Sequence, residues 1–442
     1  MRRSINNELN KWKNQVERYP LIIRGARQVG KSYLIENFGR ENFNNLVDLN
    51  FELQPNLKEC FTSLEPKDII NKLQLVLNTK IEEKETLLFL DEIQECPAAI
   101  SSLRYFKEKL PGLALIAAGS LLEFTLRSSD FKMPVGRIHF LYLEPLSFTE
   151  FLEAAGHEEL HKLLSTLDPA KPIDNVVHNK LLDLVRLYMI LGGMPAVLNE
   201  YFRSKDLANC QNIQNSLVQT YRADFGKYAK LAQHKYLIKI LDTAPRLVGQ
   251  RIKYVNIDQT ARSRDLKTAL ELLTMAGVIK TINYSRSSGL PLGAEANDNK
   301  FRLNFLDVGL MQNICGLSAE LTINKDIMQI NSGAIAEQFV GQELRAYSDK
   351  YQSSQLYFWA RDKRGSMAEV DFVVSFGANI IPIEVKAGKT GKLKSMRLFI
   401  KEKGAKFGIR ISQEKLSYYD QVLSLPLYMI DQLPRLAQNL GV

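Results

Sequence analysis

The apolar positions of this chain fall into three successive patterns. From residue 1 to about 155, short apolar runs alternate with stretches of helical period: Leu21-Ile22-Ile23, Leu46-Val47-Asp48-Leu49, Leu87-Leu88-Phe89-Leu90 and Leu113-Ala114-Leu115-Ile116. Such runs between helical segments predict buried strands of a parallel sheet covered by helices. From 156 to 325 the period is mainly helical, broken by a polar, Gly- and Asn-containing stretch at 285–300 between two strand-like segments. From 326 onward a helix carrying Glu337 and Glu343 precedes strand-like segments at 355–360, 369–376 and 380–386, and a basic helical stretch follows. The expected class is α/β in three domains, 1–155, 156–325 and 326–442, the last a second small α/β unit.

Composition narrows the setting. A chain of 442 residues with 45% hydrophobic content can build two or three cored domains. No apolar run approaches the length of a membrane span, and Met1-Arg2-Arg3 leads into polar sequence, so a cytoplasmic protein with no membrane partner is expected. Cys60, Cys96, Cys210 and Cys315 lie far apart, without the spacing of a zinc site or disulfide framework, and read as free thiols. The formal net charge is +9, and residues 361–410 hold 12 Lys and Arg against 5 Asp and Glu. An anionic partner, DNA among the candidates, is expected at that region.

The first chemical motif follows the first apolar run directly. Gly25-Ala26-Arg27-Gln28-Val29-Gly30-Lys31-Ser32 has the spacing G-x-x-x-x-G-K-S, and Tyr33 continues into a helical segment. In such a loop the glycines let backbone N–H groups face phosphates. Lys31 meets the β- and γ-phosphate charge, and Ser32 offers its hydroxyl to Mg²⁺. The expected ligands are ATP or ADP with Mg²⁺. The second motif is Leu87-Leu88-Phe89-Leu90-Asp91-Glu92, a buried strand ending in two acids. Asp91 would hold Mg²⁺ through water, and Glu92 would polarise the attacking water. Alone, such a pair also describes a solvated strand end.

An additional strand at 46–52, and another at 113–119 ending in Gly119-Ser120, give this region the outline of the P-loop ATPases that carry a catalytic glutamate. It resembles the AAA+ ATPases more narrowly. That resemblance puts Ser120 at the polar sensor position, where AAA+ proteins commonly carry Asn. It also implies a homo-oligomer in which an arginine, Arg127 or Arg137, reaches a neighbouring site. The loop wording, Ala117-Ala118-Gly119-Ser120, Gly136-Arg137 and Glu144-Pro145-Leu146-Ser147-Phe148-Thr149-Glu150-Phe151 resemble one bacterial and archaeal family of AAA+ ATP-binding proteins with a C-terminal domain of unknown function. Later matches to that family are Gly192-Gly193-Met194-Pro195, Phe305-Leu306-Asp307-Val308-Gly309-Leu310 and Glu369-Val370-Asp371-Phe372.

In the middle region, a helix at 264–276 followed by strands at 277–284 and 300–305 reads as a winged helix, with Arg262, Arg264 and Lys267 placed to meet DNA phosphates. A packing module between domains has the same outline. In the C-terminal region, Asp371 and Glu384-Val385-Lys386 follow a helix bearing Glu337. The Asp371 and Glu384 carboxylates with the Val385 carbonyl would bind a divalent ion, and Lys386, two residues after Glu384 on one strand face, would orient the nucleophile. This order resembles the restriction-endonuclease-like nucleases. Surface ion pairs, or a nuclease fold that binds without cutting, are the alternatives. His139, His157, His161, His178 and His234 read as surface or packing residues. Tyr357 and Trp359 read as core positions of a strand.

Overall fold

The N-terminal apolar runs pair side by side. They form β1 (Leu21–Arg24), β2 (Asn45–Asn50), β3 (Thr86–Asp91) and β4 (Ala114–Ala118), joined by β5 (His139–Tyr142), in the spatial order β2-β3-β4-β1-β5. Each of these pairings is parallel. β3 and β4 are buried at each residue, as expected of central parallel strands covered on both faces. Ile69, Leu73, Ile100, Leu103 and Phe106, from helices Pro66–Leu77 and Pro97–Lys109, share one core with Val47, Leu49, Leu88, Leu90 and Leu115 of the sheet. Burying each such side chain stabilises the fold by about 1.5–3 kcal/mol. The order places β4 between β1, which leads into Gly25, and β3, which ends at Asp91. β5 gives no comparable sequence signal, because four residues with two aromatics and a histidine carry too little pattern to distinguish a strand from a loop.

The computed structural model describes residues 1–126, 136–171, 173–316, 333–361, 368–386 and 393–441. The chain divides into two units, one of residues 1–144, 275–277 and 349–353, the other of 145–274, 278–348 and 354–442. In the first, the N–H of Tyr142 donates to the carbonyl of Lys350 at 2.8 Å, and Gly277 lies against Ala26.

The second unit is built on an eight-stranded sheet, β12-β13-β11-β10-β9-β8-β6-β7. Its strands are β6 (Ile279–Ser285), β7 (Ala296–Phe305), β8 (Leu356–Ala360), β9 (Glu369–Phe376), β10 (Asn379–Val385), β11 (Gly408–Ser412), β12 (Ser417–Tyr419) and β13 (Val422–Pro426). β8, β9 and β10 form an antiparallel meander, and helix Lys394–Lys403 precedes β11, which runs parallel to β10. Helix Ser263–Met275 leads into the antiparallel hairpin β6–β7, and β6 also pairs in parallel with β8. Residues 156–325 and 326–442 read as separate domains in the sequence, yet the hairpin of the former continues the sheet of the latter. Edge pairing supplies the reason, since β6 satisfies its outer backbone groups on β8.

The family-like motifs of this unit converge in its interior. Asp307, fully buried at the N-cap of helix Val308–Cys315, accepts from the N–H of Gly193 at 2.6 Å and of Leu310 at 3.0 Å. A Cβ on Gly193 would fall 2.1 Å from the Leu146 carbonyl oxygen, so only glycine permits this approach. Helix Ala334–Ala346 adds the buried polar side chains of Gln338, Gln342 and Glu343. Gln338 exchanges hydrogen bonds with both backbone groups of Phe305 at 2.7 Å, Gln342 accepts from the N–H of Val308 at 2.8 Å, and Glu343 accepts from the N–H of Phe148 at 3.0 Å. These polar groups close on one another and hold segments 146–151, 192–195 and 305–310 together.

Burial pushes the Glu343 carboxyl up to about 8 from 4.5, against the hydrogen bonds of Tyr347 and Phe148, and pushes Asp307 up to about 6. A raised carboxyl favours the folded state in its protonated form. Its contribution is present below pH 4.5 and is lost as pH rises through 8, at about 1.4 kcal/mol per pH unit. Thermal unfolding from about pH 5 to about pH 8 is therefore expected to show a shallower fall in stability for Glu343→Gln than for the wild type; equal slopes would contradict this origin.

Candidate functional site

The loop after β1 is shaped by two glycines. Gly25 stands at φ 150°, where a Cβ would fall 2.3 Å from the Leu143 carbonyl oxygen, and Gly30 stands at φ 95° as the left-handed N-cap of helix Lys31–Asn42. Ala26 and Val29 are buried, Arg27 is half-buried, and Gln28 and Tyr33 are exposed. The Lys31 amine donates to the carbonyls of Gly25 at 3.0 Å and Ala26 at 2.9 Å. Burial lowers its pKa to about 8 against the attraction of Glu92 and Asp91. Lys31 is thus a desolvated cation resting on the loop that a phosphate would enter.

Two strand ends meet this loop. Ser32 Oγ donates to Asp91 Oδ2 at 3.0 Å, Asn50 Nδ2 from the end of β2 donates to the same oxygen at 3.2 Å, and the Glu92 N–H donates to Asp91 Oδ1 at 3.0 Å. Burial pushes the Asp91 carboxyl up, opposed by the Ser32 hydrogen bond. Glu92 turns the chain at φ 48°, and its Oε2 accepts from Gln94 Nε2 at 2.7 Å, the Ser120 N–H at 3.3 Å and Ser120 Oγ at 3.4 Å. Lys31, Ser32, Asp91, Glu92 and Ser120 are thereby brought together. Asn50 and Gln94 join them without being marked by either motif. Each is a polar residue at a strand exit, a signal that becomes specific only once the strand order is known.

Arg137 is exposed and pairs through Nε with Glu108 at 3.2 Å. Arg127 lies outside the described residues. Cys60, Cys96, Cys210 and Cys315 are free thiols, the first three buried. His161 Nδ1 contacts Glu153 at 2.9 Å, His178 Nδ1 contacts the Tyr428 hydroxyl at 2.7 Å, and Trp359 is buried edge-on against Phe399.

In the second unit Glu337, Asp371, Glu384 and Lys386 are also neighbours, but a residue that no motif marks joins them. Arg302 of β7, 7% exposed at its side chain, donates to Glu337 Oε2 at 3.2 Å, Asp371 Oδ1 at 3.3 Å and, through Nε, Glu369 Oε1 at 2.9 Å. Asp371 Oδ2 accepts from the Val385 N–H at 2.9 Å, and Lys386 pairs with Glu384 Oε1. Glu384 Oε2 is buried, and among the described residues no donor bonds it. Burial and Asp371 push the Glu337 carboxyl up, while Arg302 opposes them. Among the described residues no group of three or more His, Cys, Asp or Glu is arranged to hold a metal ion. Of the residues expected to hold the ion, Asp371 is bonded instead by the guanidinium of Arg302. Arg302 precedes Asp371 by 69 residues, so no local spacing pattern links the two.

Comparison with known proteins follows this geometry. Residues 17–152 match the family described as an AAA domain, residues 182–321 match a domain of unknown function (DUF8612), and residues 332–428 match another (DUF4143). No curated protein matches the chain. Similar solved structures include a Walker-type ATPase of Pyrococcus abyssi, at 19% identity and TM-score 0.45 over 71% of this chain and 95% of that one. The Aeropyrum pernix ORC1 protein in complex with DNA matches at 12% and 0.29 over 73% and 95%. AMPPCP-bound DnaA from Aquifex aeolicus matches at 11% and 0.21 over 61% and 84%. The first unit carries an AAA-type P-loop ATPase domain.

Replacing Arg302 by Met keeps the bulk of the side chain and leaves Glu337, Glu369 and Asp371 without their shared cation. Urea denaturation is expected to show a loss of about 3–5 kcal/mol. A loss below about 1 kcal/mol would contradict the role of Arg302 as the centre of this cluster.

Proposed function

We propose that this protein binds ATP with Mg²⁺ and hydrolyses it, and that the nucleotide cycle switches the second unit, which engages DNA. The observation that carries the reading is the meeting of Lys31, Ser32, Asp91 and Glu92 around one loop. The start of helix Lys31–Asn42 offers backbone N–H groups to the phosphates. Lys31 would exchange the carbonyls of Gly25 and Ala26 for phosphate oxygens. Ser32 and, through water, Asp91 are the residues that would hold Mg²⁺, which neutralises phosphate charge when bound. The buried Asp91 carboxyl and the adjacent Ser32 hydroxyl suit a cation. Glu92 orients the water. The water's oxygen bonds to the γ-phosphorus as the bond to the bridging oxygen breaks, the electron pair leaves with ADP, and the water's proton passes to the Glu92 carboxylate.

DNA engagement is supported by Arg262, Arg264 and Lys267, exposed at the start of helix Ser263–Met275, and by the basic excess of residues 361–410. The order of helix Ala334–Ala346, β8, β9, β10, helix Lys394–Lys403 and β11 supports a nuclease-like fold. Arg302 on its carboxylates favours a fold that binds without cutting. Metal-dependent cleavage is the second reading, favoured by the unpartnered Glu384 Oε2. A homo-oligomer with Arg137 reaching a neighbouring site belongs to the same proposal.

Lys31→Ala is expected to weaken ATP binding at least about tenfold, and Glu92→Gln to bind ATP while losing about 100-fold or more in turnover. Titration with ATP and steady-state phosphate release measure both, and wild-type turnover in Glu92→Gln would contradict the assignment. Incubation of labelled DNA with Mg²⁺ or Mn²⁺ decides between the readings of the second unit: binding without cutting is expected. Cutting that is lost in Glu384→Ala would establish the nuclease instead.

A further inference from the structure

Strand β3 ends at Asp91, Glu92 turns the chain in the left-handed region, and the 3-10 turn Ile93–Glu95 follows before helix Pro97–Lys109. This tight exit returns the side chain of Gln94 to Glu92, two residues back, where Nε2 donates to Oε2 at 2.7 Å. The neighbouring strand is shaped to admit it. A Cβ on Gly119 would stand 2.0 Å from Gln94 Oε1, so the amide occupies room that a side chain at the end of β4 would fill. Ser120, the next residue, donates to the same Glu92 oxygen through its N–H and its hydroxyl.

The donors are unevenly divided. All three reach Oε2, and among the described residues none reaches Oε1. Gln94 Oε1 is itself buried, with no hydrogen-bond partner among the described residues, so its amide is committed to Glu92 through the nitrogen side. Turning the amide over would set two oxygens against each other.

We propose that Gln94 is a positioning residue for ATP hydrolysis. With Ser120 it fixes one oxygen of Glu92 and leaves the other to accept a hydrogen bond from the attacking water. The inference rests on the ATPase reading. It assigns to Gly119-Ser120 a shared task, glycine making room for the amide and serine supplying the remaining donors.

The test compares wild type, Gln94→Ala, Gln94→Met and Glu92→Gln by nucleotide titration and by steady-state phosphate release over a range of ATP concentrations. Gln94→Ala is expected to bind ATP as the wild type does and to keep the wild-type KM while losing about tenfold or more in kcat. Gln94→Met keeps the length without the donor, and the same behaviour is expected of it should the alanine variant not fold. Wild-type kcat in a folded Gln94 variant, or a loss carried by KM and not by kcat, alongside an inactive Glu92→Gln, would overturn the role of Gln94 alone. An active Glu92→Gln, or a wild type without turnover, would overturn the ATPase reading and this inference with it.

Discussion

The hydrogen bond from Ser32 to Asp91 at 3.0 Å joins residues 59 positions apart, and the chemistry of the first unit depends on it. It exists because β4 lies between β1 and β3, which brings the loop after one strand beside the end of the other. Asn50 reaches the same oxygen from β2, and Ser120 reaches Glu92 from β4. Three strand exits thus converge on two carboxylates, whose burial is tolerated because donors are fixed around them.

Both units set acids beside a cation, with different consequences. In the first, Lys31 rests on two backbone carbonyls, neutral partners that a phosphate can replace. In the second, Arg302 already serves three carboxylates in a buried setting, and separating those charges is costly. A flexible ammonium on a loop is suited to exchange, whereas a planar guanidinium held by several acids is suited to permanence.

The nucleotide loop and the acidic strand end were legible in the sequence because glycine placement, a lysine and a buried strand each follow from local chain geometry. Strands at 369–376 and 380–386 were likewise visible in their apolar pattern and stand at Glu369–Phe376 and Asn379–Val385. What stayed hidden depends on distant partners. Arg302 acquires its meaning only when β7 joins the sheet of β9 and β10, and Gln94 only when Gly119 leaves room for it. Gly193 and Asp307, marked in the sequence only as matches to a family, serve a buried polar network. Short strands such as β5 and β12 lack enough positions for a period to emerge.

Hydrogen–deuterium exchange with and without ATP and Mg²⁺ tests the central claim most directly. The account predicts slowed exchange at the backbone amides of residues 25–32 and at Glu92 when nucleotide is present. Unchanged exchange at those amides under saturating nucleotide would contradict it.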